Sequence, residues 1–156
     1  MKKRELFELL NALQGVSDLQ GVKFAYVVTK NMNKIRSEIK ILQKSVKTPE
    51  KFSEYENKRM RICNKYCAKD KDNKPIIENN AYTGLDDNKF FSFEIDKLQK
   101  EYKETIDKRK KQAEEYKVML EEETKVELYK VSLKNVPEKI TAQQLEKIMP
   151  IVLEEK

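Results

Sequence analysis

The stretch 22–47, VKFAYVVTKNMNKIRSEIKILQKSVK, decides the fold. Within it Ala25, Val28, Met32, Ile35, Ile39, Leu42 and Val46 fall alternately three and four residues apart. An α-helix turns once in about 3.6 residues, so this alternation draws one apolar line down one side of a rod. Such a line is the seam of a helix lying against another helix, as in a coiled coil. No glycine or proline interrupts it, and at about 1.5 Å per residue the helix is about 39 Å long. A packed helix is a shape, and shape alone does not name a function.

Working outward toward the start, Leu6, Leu9, Leu10 and Leu13 form the apolar stripe of a shorter helix over about 3–14, which Gly15 stops. Ser17 to Gly21 is a turn-rich connection. On the other side, Thr48-Pro49-Glu50 marks a break and a restart. Threonine caps, proline suits the first helical position, and the acid favours a helix start. The helix that follows, about 49–69, carries Phe52, Tyr55, Met60, Ile62, Cys63, Tyr66 and Cys67. Two long helices joined by so short a break are expected to form an antiparallel hairpin. Cys63 and Cys67 stand four apart, which on a helix sets their Cβ atoms about 5–6 Å apart. A disulfide wants about 3.5–4.5 Å, so both are expected as small buried side chains beside Met60.

The texture changes at Asp70. Asp70-Lys71-Asp72-Asn73 is turn-like, and Pro75-Ile76-Ile77 and Ala81-Tyr82-Thr83 flank Asn79-Asn80 as the arms of a tight hairpin. The two aspartates do not make a calcium loop: the sixth position lacks glycine, and the twelfth is Ala81 where a glutamate is required. Asp86 or Asp87 is expected to cap a long helix to about Glu122, with the stripe Phe91, Ile95, Leu98, Tyr102, Ile106, Ala113, Tyr116 and Leu120. The step from Tyr102 to Ile106 breaks the three-four alternation, a slip that straightens a supercoil. Val126-Glu127-Leu128-Tyr129 alternates like a strand and is expected to join the hairpin as a three-stranded sheet. Thr141 with Gln144 reads as a capping box opening a last short helix through Met149, stopped near Pro150. Ile151-Val152-Leu153 then needs an apolar docking place.

The expected architecture is therefore mainly α. It is a long antiparallel helical hairpin or coiled-coil-like bundle with a small β-hairpin or three-stranded sheet. At 156 residues it is expected as a single domain, 1–156. The helical core lies at about 3–69 and 88–122, the β element at about 74–84 with 126–133, and a short helix at about 142–149. Three glycines and four prolines are few, in keeping with long helices and few loops.

There is no histidine. That excludes Ser-His-Asp and Cys-His nucleophile pairs, imidazole proton shuttling and histidine-based zinc sites within this chain. Gly15, Gly21 and Gly84 stand alone, so no glycine-rich phosphate loop forms. Carboxylate runs such as Glu121-Glu122-Glu123 fall where a helix is expected to be solvated, not in a sheltered site that shifts a pKa. The expectation is a protein that is not an enzyme, with no cofactor and no metal. No apolar run approaches the roughly 18 residues of a membrane span. The basic start is interrupted by Glu5 and Glu8 and leads to no small-residue cleavage site. A cytoplasmic protein without a membrane partner is expected.

The net charge of +6 is uneven. Residues 22–48 hold seven basic groups and one acid. Lys23, Lys30, Lys34, Lys40, Lys44 and Lys47 lie away from the seam and make a lysine-rich outer face. Such a face is in most helices simply the solvated side. Read functionally, it is an electrostatic footprint for nucleic acid or another polyanion. The single arginine of that helix, Arg36, argues against base-specific readout. The candidate partner-binding residues are Lys30, Lys34, Arg36, Lys40 and Lys44, followed by Lys108, Arg109, Lys110 and Lys111.

At Lys23-Phe24-Ala25-Tyr26-Val27-Val28-Thr29-Lys30-Asn31 the chain resembles a family of small tailed-phage proteins of unassigned function. The likeness continues through Tyr66, Asp70, Lys74-Pro75-Ile76, the helix beginning near Phe90, and the closing pattern Ile140 to Leu153. The resemblance implies a phage or prophage setting, hence host-cell cytoplasm, and carries over no catalytic residues. The expected function is non-catalytic capture of a macromolecular partner, with inhibition of host defence or nucleic-acid machinery as its use. The alternatives are a virion structural or assembly component and a non-specific nucleic-acid binder. The partner is expected to be a protein or a second copy of the chain, with nucleic acid as a further candidate through the basic face.

Overall fold

A computed structural model describes residues 1–153. In chain order the helices are α1 (Glu5–Gln14), α2 (Val22–Ser45) and α3 (Glu50–Tyr66), then α4 (Lys89–Glu101), α5 (Lys103–Glu121) and α6 (Ala142–Ile148). The strands are β1 (Ile77–Glu78), β2 (Ala81–Tyr82), β3 (Val131–Ser132) and β4 (Val152–Leu153). The fold is thus mainly α with minor β, as the periodicity predicts. The contacts divide into two compact units: Met1–Val46 with the segment from Glu115 onward, and Lys47–Glu114.

In the first unit α2 packs against α1, and α1 against α6. Leu6, Leu9 and Leu13 of α1 meet Phe24, Val28, Ile35 and Ile39 of α2, and Val131, Ile148, Ile151 and Val152 close the core. The seam of α2 is therefore covered by α1 and by the chain's last segment, whereas the sequence reading paired α2 with α3. The reason is supply: α1 offers three fully apolar positions, and the closing segment offers four more. The buried line is also rotated at its start. Phe24 and Asn31 are buried while Ala25 is exposed and Met32 only half-buried. A straight helix drifts about 20° per heptad from a strict seven-residue repeat, and the drift favours the larger Phe24 over Ala25.

The sheet differs from expectation as well. Val126–Tyr129 joins no sheet, and β3 pairs in parallel with β4, Val131 opposite Val152. The apolar tail Ile151–Leu153 finds its docking place there. Thr141 caps α6 through the expected reciprocal box with Gln144. The first residues are tied down by the end of α5: Lys3 N–H donates to Glu122 O at 2.9 Å and Arg4 N–H to Leu120 O at 3.0 Å. Glu121 and Glu122, expected to be merely solvated, pair with Lys2 at 2.6 Å and Lys3 at 2.7 Å.

In the second unit α3 packs against α4. Tyr102 lies beside Tyr55 and bonds Glu54 and Lys58, while Glu94 bonds Lys65 and Tyr66. Rising numbers in α3 meet falling numbers beyond, so the pairing is antiparallel. Tyr55, Leu98 and Tyr102 form its core. Met60, expected inside, is exposed. Cys67 lies one residue beyond α3, and both thiols are buried and unbridged. β1 and β2 pair antiparallel across Asn79-Asn80, whose φ values of 49° and 62° are those of a mirror-image tight turn that asparagine tolerates. Gly84 has φ 74°, and a Cβ there would come within 3.0 Å of the Ala68 Cβ. The cap of α4 is Asn88, whose side chain accepts from Phe90 and Phe91 N–H, rather than Asp86 or Asp87. The expected continuous helix breaks at Tyr102 (φ −102°, ψ 14°), at the slip in its stripe: burying Tyr102 against Tyr55 takes a bend that a straight rod does not provide.

Candidate functional site

The outward side of α2 repeats the spacing of its core side. Lys23, Tyr26, Lys30, Lys34, Ser37, Ile41 and Lys44 are three or four apart, so they share one face. All are exposed. Tyr26 is 57% exposed and Ile41 61%. Glu38, the only acid of α2, sits at the half-buried edge of the core face.

One segment borders this stripe. Asn31 is completely buried. Its Nδ2 donates to Tyr129 O at 2.9 Å and its Oδ1 accepts from Tyr129 N–H at 2.9 Å. The amide thus substitutes for a strand partner and holds residues 125–129 alongside α2. Lys34 Nζ then donates to Glu127 O at 2.9 Å and stands 4.5 Å from the centre of the Tyr129 ring. Lys30 Nζ stands 5.5 Å from the centre of the Tyr26 ring. Between helix and segment runs an open groove of about 600 Å³, bordered by Lys30, Lys34, Glu38, Lys125, Glu127 and Tyr129. Lys23, Arg36, Lys40 and Lys44 form no ion pair among the described residues.

The structure thus brings Lys30, Lys34 and Lys44 onto one face. Lys40 lies beside it, and Arg36 points to another side. Lys108, Arg109, Lys110 and Lys111 belong to α5 in the second unit. Lys108 is paired with Glu104 at 2.6 Å. Arg109 donates to Gln112 Oε1 at 2.6 Å and lies 5.8 Å from the Phe52 ring, so it works in packing. Sequence reasoning missed Asn31, Tyr26, Tyr129 and Lys125. The signal available for Asn31 was an amide on the apolar side of a helix, where only a satisfied polar group survives.

The chain matches no family model, no curated protein and no solved structure.

The other polar cluster with chemistry in it joins α3 to Tyr102. Lys58 Nζ donates to the Tyr102 hydroxyl at 2.7 Å, and that hydroxyl donates to Glu54 Oε1 at 2.6 Å. The Tyr102 hydroxyl, with Lys58, holds Glu54 below the usual carboxylate range. The same hydroxyl and Glu54 raise Lys58, and the Glu54 carboxylate raises Tyr102. Each group is pushed away from neutrality, the opposite of a proton-transfer group tuned to pH 7. Burial likewise raises the Cys63 thiol, away from the thiolate a nucleophile needs. Among the described residues no three His, Cys, Asp or Glu side chains are grouped to hold a metal ion. No helix of those residues is long and apolar enough to cross a membrane.

Proposed function

We propose that this protein is a non-catalytic binding protein that captures a macromolecular partner on the outward stripe of α2. The observation that carries the reading is the stripe itself: lysines in register with exposed Tyr26 and Ile41 on a helix whose opposite face is anchored in the core. A helix held rigidly on one side presents its other side without ordering cost at the moment of binding. The hydrogen-bonded set of Glu54, Lys58 and Tyr102, whose pKa values move away from pH 7, is in keeping with the non-catalytic part. The resemblance of residues 23–31 to tailed-phage proteins supports a host-cell macromolecule as partner, whose capture would inhibit host defence or nucleic-acid machinery. Assembly of copies through the α2 seam has no support here, because α1 and the closing segment occupy that seam.

The test is the triple charge reversal Lys30→Glu, Lys34→Glu and Lys44→Glu. The altered protein is expected to retain its helical circular dichroism and to lose the partners recovered with the unaltered chain from infected cells. Recovery of the same partners by both proteins would remove this surface from consideration.

A further inference from the structure

We infer that the partner of the α2 stripe is a single-stranded nucleic acid, bound without sequence preference along the outward stripe of α2 and the groove beside it, between α2 and residues 125–129. The inference rests on the capture reading above and names its ligand.

Four features of the site point there together. The first is charge: Lys23, Lys30, Lys34 and Lys44 lie on one face of α2 and Lys125 stands across the groove, so that with Glu38 and Glu127, which also line the groove, the balance stays positive. A polyanion is the complement, and displacing its counterions supplies affinity. The second is the two rings. Tyr26 and Tyr129 stand at the two ends of the Lys30–Lys34 pair, each with an ammonium 5.5 Å or 4.5 Å from its centre. The order ring, ammonium, ammonium, ring offers flat apolar faces beside positive charge. An acidic peptide or an intact duplex uses the lysines and leaves the rings idle. A single strand offers phosphates to the lysines and unpaired bases to the rings. The third is rigidity: the paired hydrogen bonds from Asn31 fix the Tyr129 backbone against α2, so the second ring is held in place before the strand arrives. The fourth is composition. Lysine is a point charge without arginine's fork, and Arg36 faces away, so there is nothing to read base edges. The strand is held by backbone and stacking alone.

Fluorescence anisotropy of the full chain with a labelled deoxythymidine 20-mer tests this, against a 20-base-pair duplex as second probe and polyglutamate as competitor. The single strand is expected to bind at least tenfold more tightly than the duplex at low salt. Its affinity is expected to fall with salt at a log–log slope of about −3, as for four or so phosphate contacts. Lys30→Glu with Lys34→Glu is expected to weaken the strand more than tenfold. Tyr26→Ala and Tyr129→Leu are each expected to weaken it about fivefold or more with the slope unchanged. Tyr26 packs on nothing in the core, so its variant decides the point even where Tyr129→Leu loosens the groove. Equal affinity for strand and duplex, or no loss with Tyr26→Ala, overturns the inference in favour of plain charge attraction. Lysine-dependent binding of polyglutamate with none of the strand overturns it while leaving capture by the stripe intact. Failure of every polyanion to bind in a lysine-dependent way overturns both.

Discussion

Asn31 is the residue on which the groove depends. Among the described residues it is the one polar side chain fully enclosed in the first unit's core, and it is tolerated there because both ends of its amide are satisfied by the Tyr129 backbone. Asn31→Leu leaves that N–H and C=O without partners in a partly buried place, at a cost of about 2–4 kcal/mol. The urea midpoint is expected to drop by that free energy divided by the slope of the transition, with the slope itself unchanged. A drop within error of zero would mean the segment 125–129 is held by something else. At the same scale, Glu54 and Glu94 fix the pH behaviour of α3 and α4. Tyr102 and Lys58 lower the first, and Lys65 and Tyr66 lower the second, from an ordinary 4.5. A carboxyl with a lowered folded pKa binds fewer protons when folded, so its contribution is complete above about 4.5 and is lost as pH falls through the folded value. Lys58 and Lys65, both raised, contribute fully below the ordinary lysine value of 10.5 and lose that contribution only as pH rises through their folded values. The melting temperature is expected to be flat from pH 6 to 9 and to fall toward pH 3, and Glu54→Gln with Glu94→Gln is expected to flatten that acid limb.

Helices were legible in the sequence wherever large apolar side chains recur at helical spacing. The stripes of α1 and α2 place those rods within a residue or two, and the Thr141–Gln144 box places the start of α6. What was not legible is which rod covers which. Leu6, Leu9 and Leu13 advertise an apolar face as plainly as Ile35 and Leu42 do, but nothing local says that they meet. The pairing depends on Ile148, Ile151 and Val152 arriving from over a hundred residues away to complete the same core. Two-residue strands such as β3 and β4 carry no periodic signal at all, so the parallel pair had none to offer. The site was half legible: charge marked the lysines of α2, but the rings beside them were hidden, Tyr129 because its position depends on a hydrogen bond from another element. The capping box yields its own expectation. Thr141→Ala removes a side-chain acceptor from the first turn of α6 and is expected to cost about 1 kcal/mol. Because α6 supplies Ile148 to the core, the loss is expected in the melting of the whole first unit, measured by thermal denaturation. An unchanged midpoint would mean that packing alone positions α6.

At the scale of the molecule there are two separate cores, one around Phe24 and Ile148 and one around Tyr55 and Leu98. Phe24→Ala costs about 3–5 kcal/mol and Leu98→Ala about 2–5 kcal/mol by the usual scale of cavity formation. Amide hydrogen exchange is expected to report each loss in its own unit: Phe24→Ala speeds exchange in α1 and α2, and Leu98→Ala in α3 and α4. Equal acceleration throughout by either variant would show one cooperative body in place of two.

The parallel pair of β3 and β4 has a consequence for how the chain comes off the ribosome. α1 and α2 are made well before the residues that complete their packing, Ile148, Ile151 and Val152. At roughly 5–20 residues per second, the roughly 100 residues between them take about 5–20 s to make. The unit at 47–114 is contiguous in sequence, so it is expected to close during that interval. Nascent chains arrested before Ile148 are therefore expected to hold chaperones on the open leucine side of α1, and chains arrested well beyond Leu153 to have let them go.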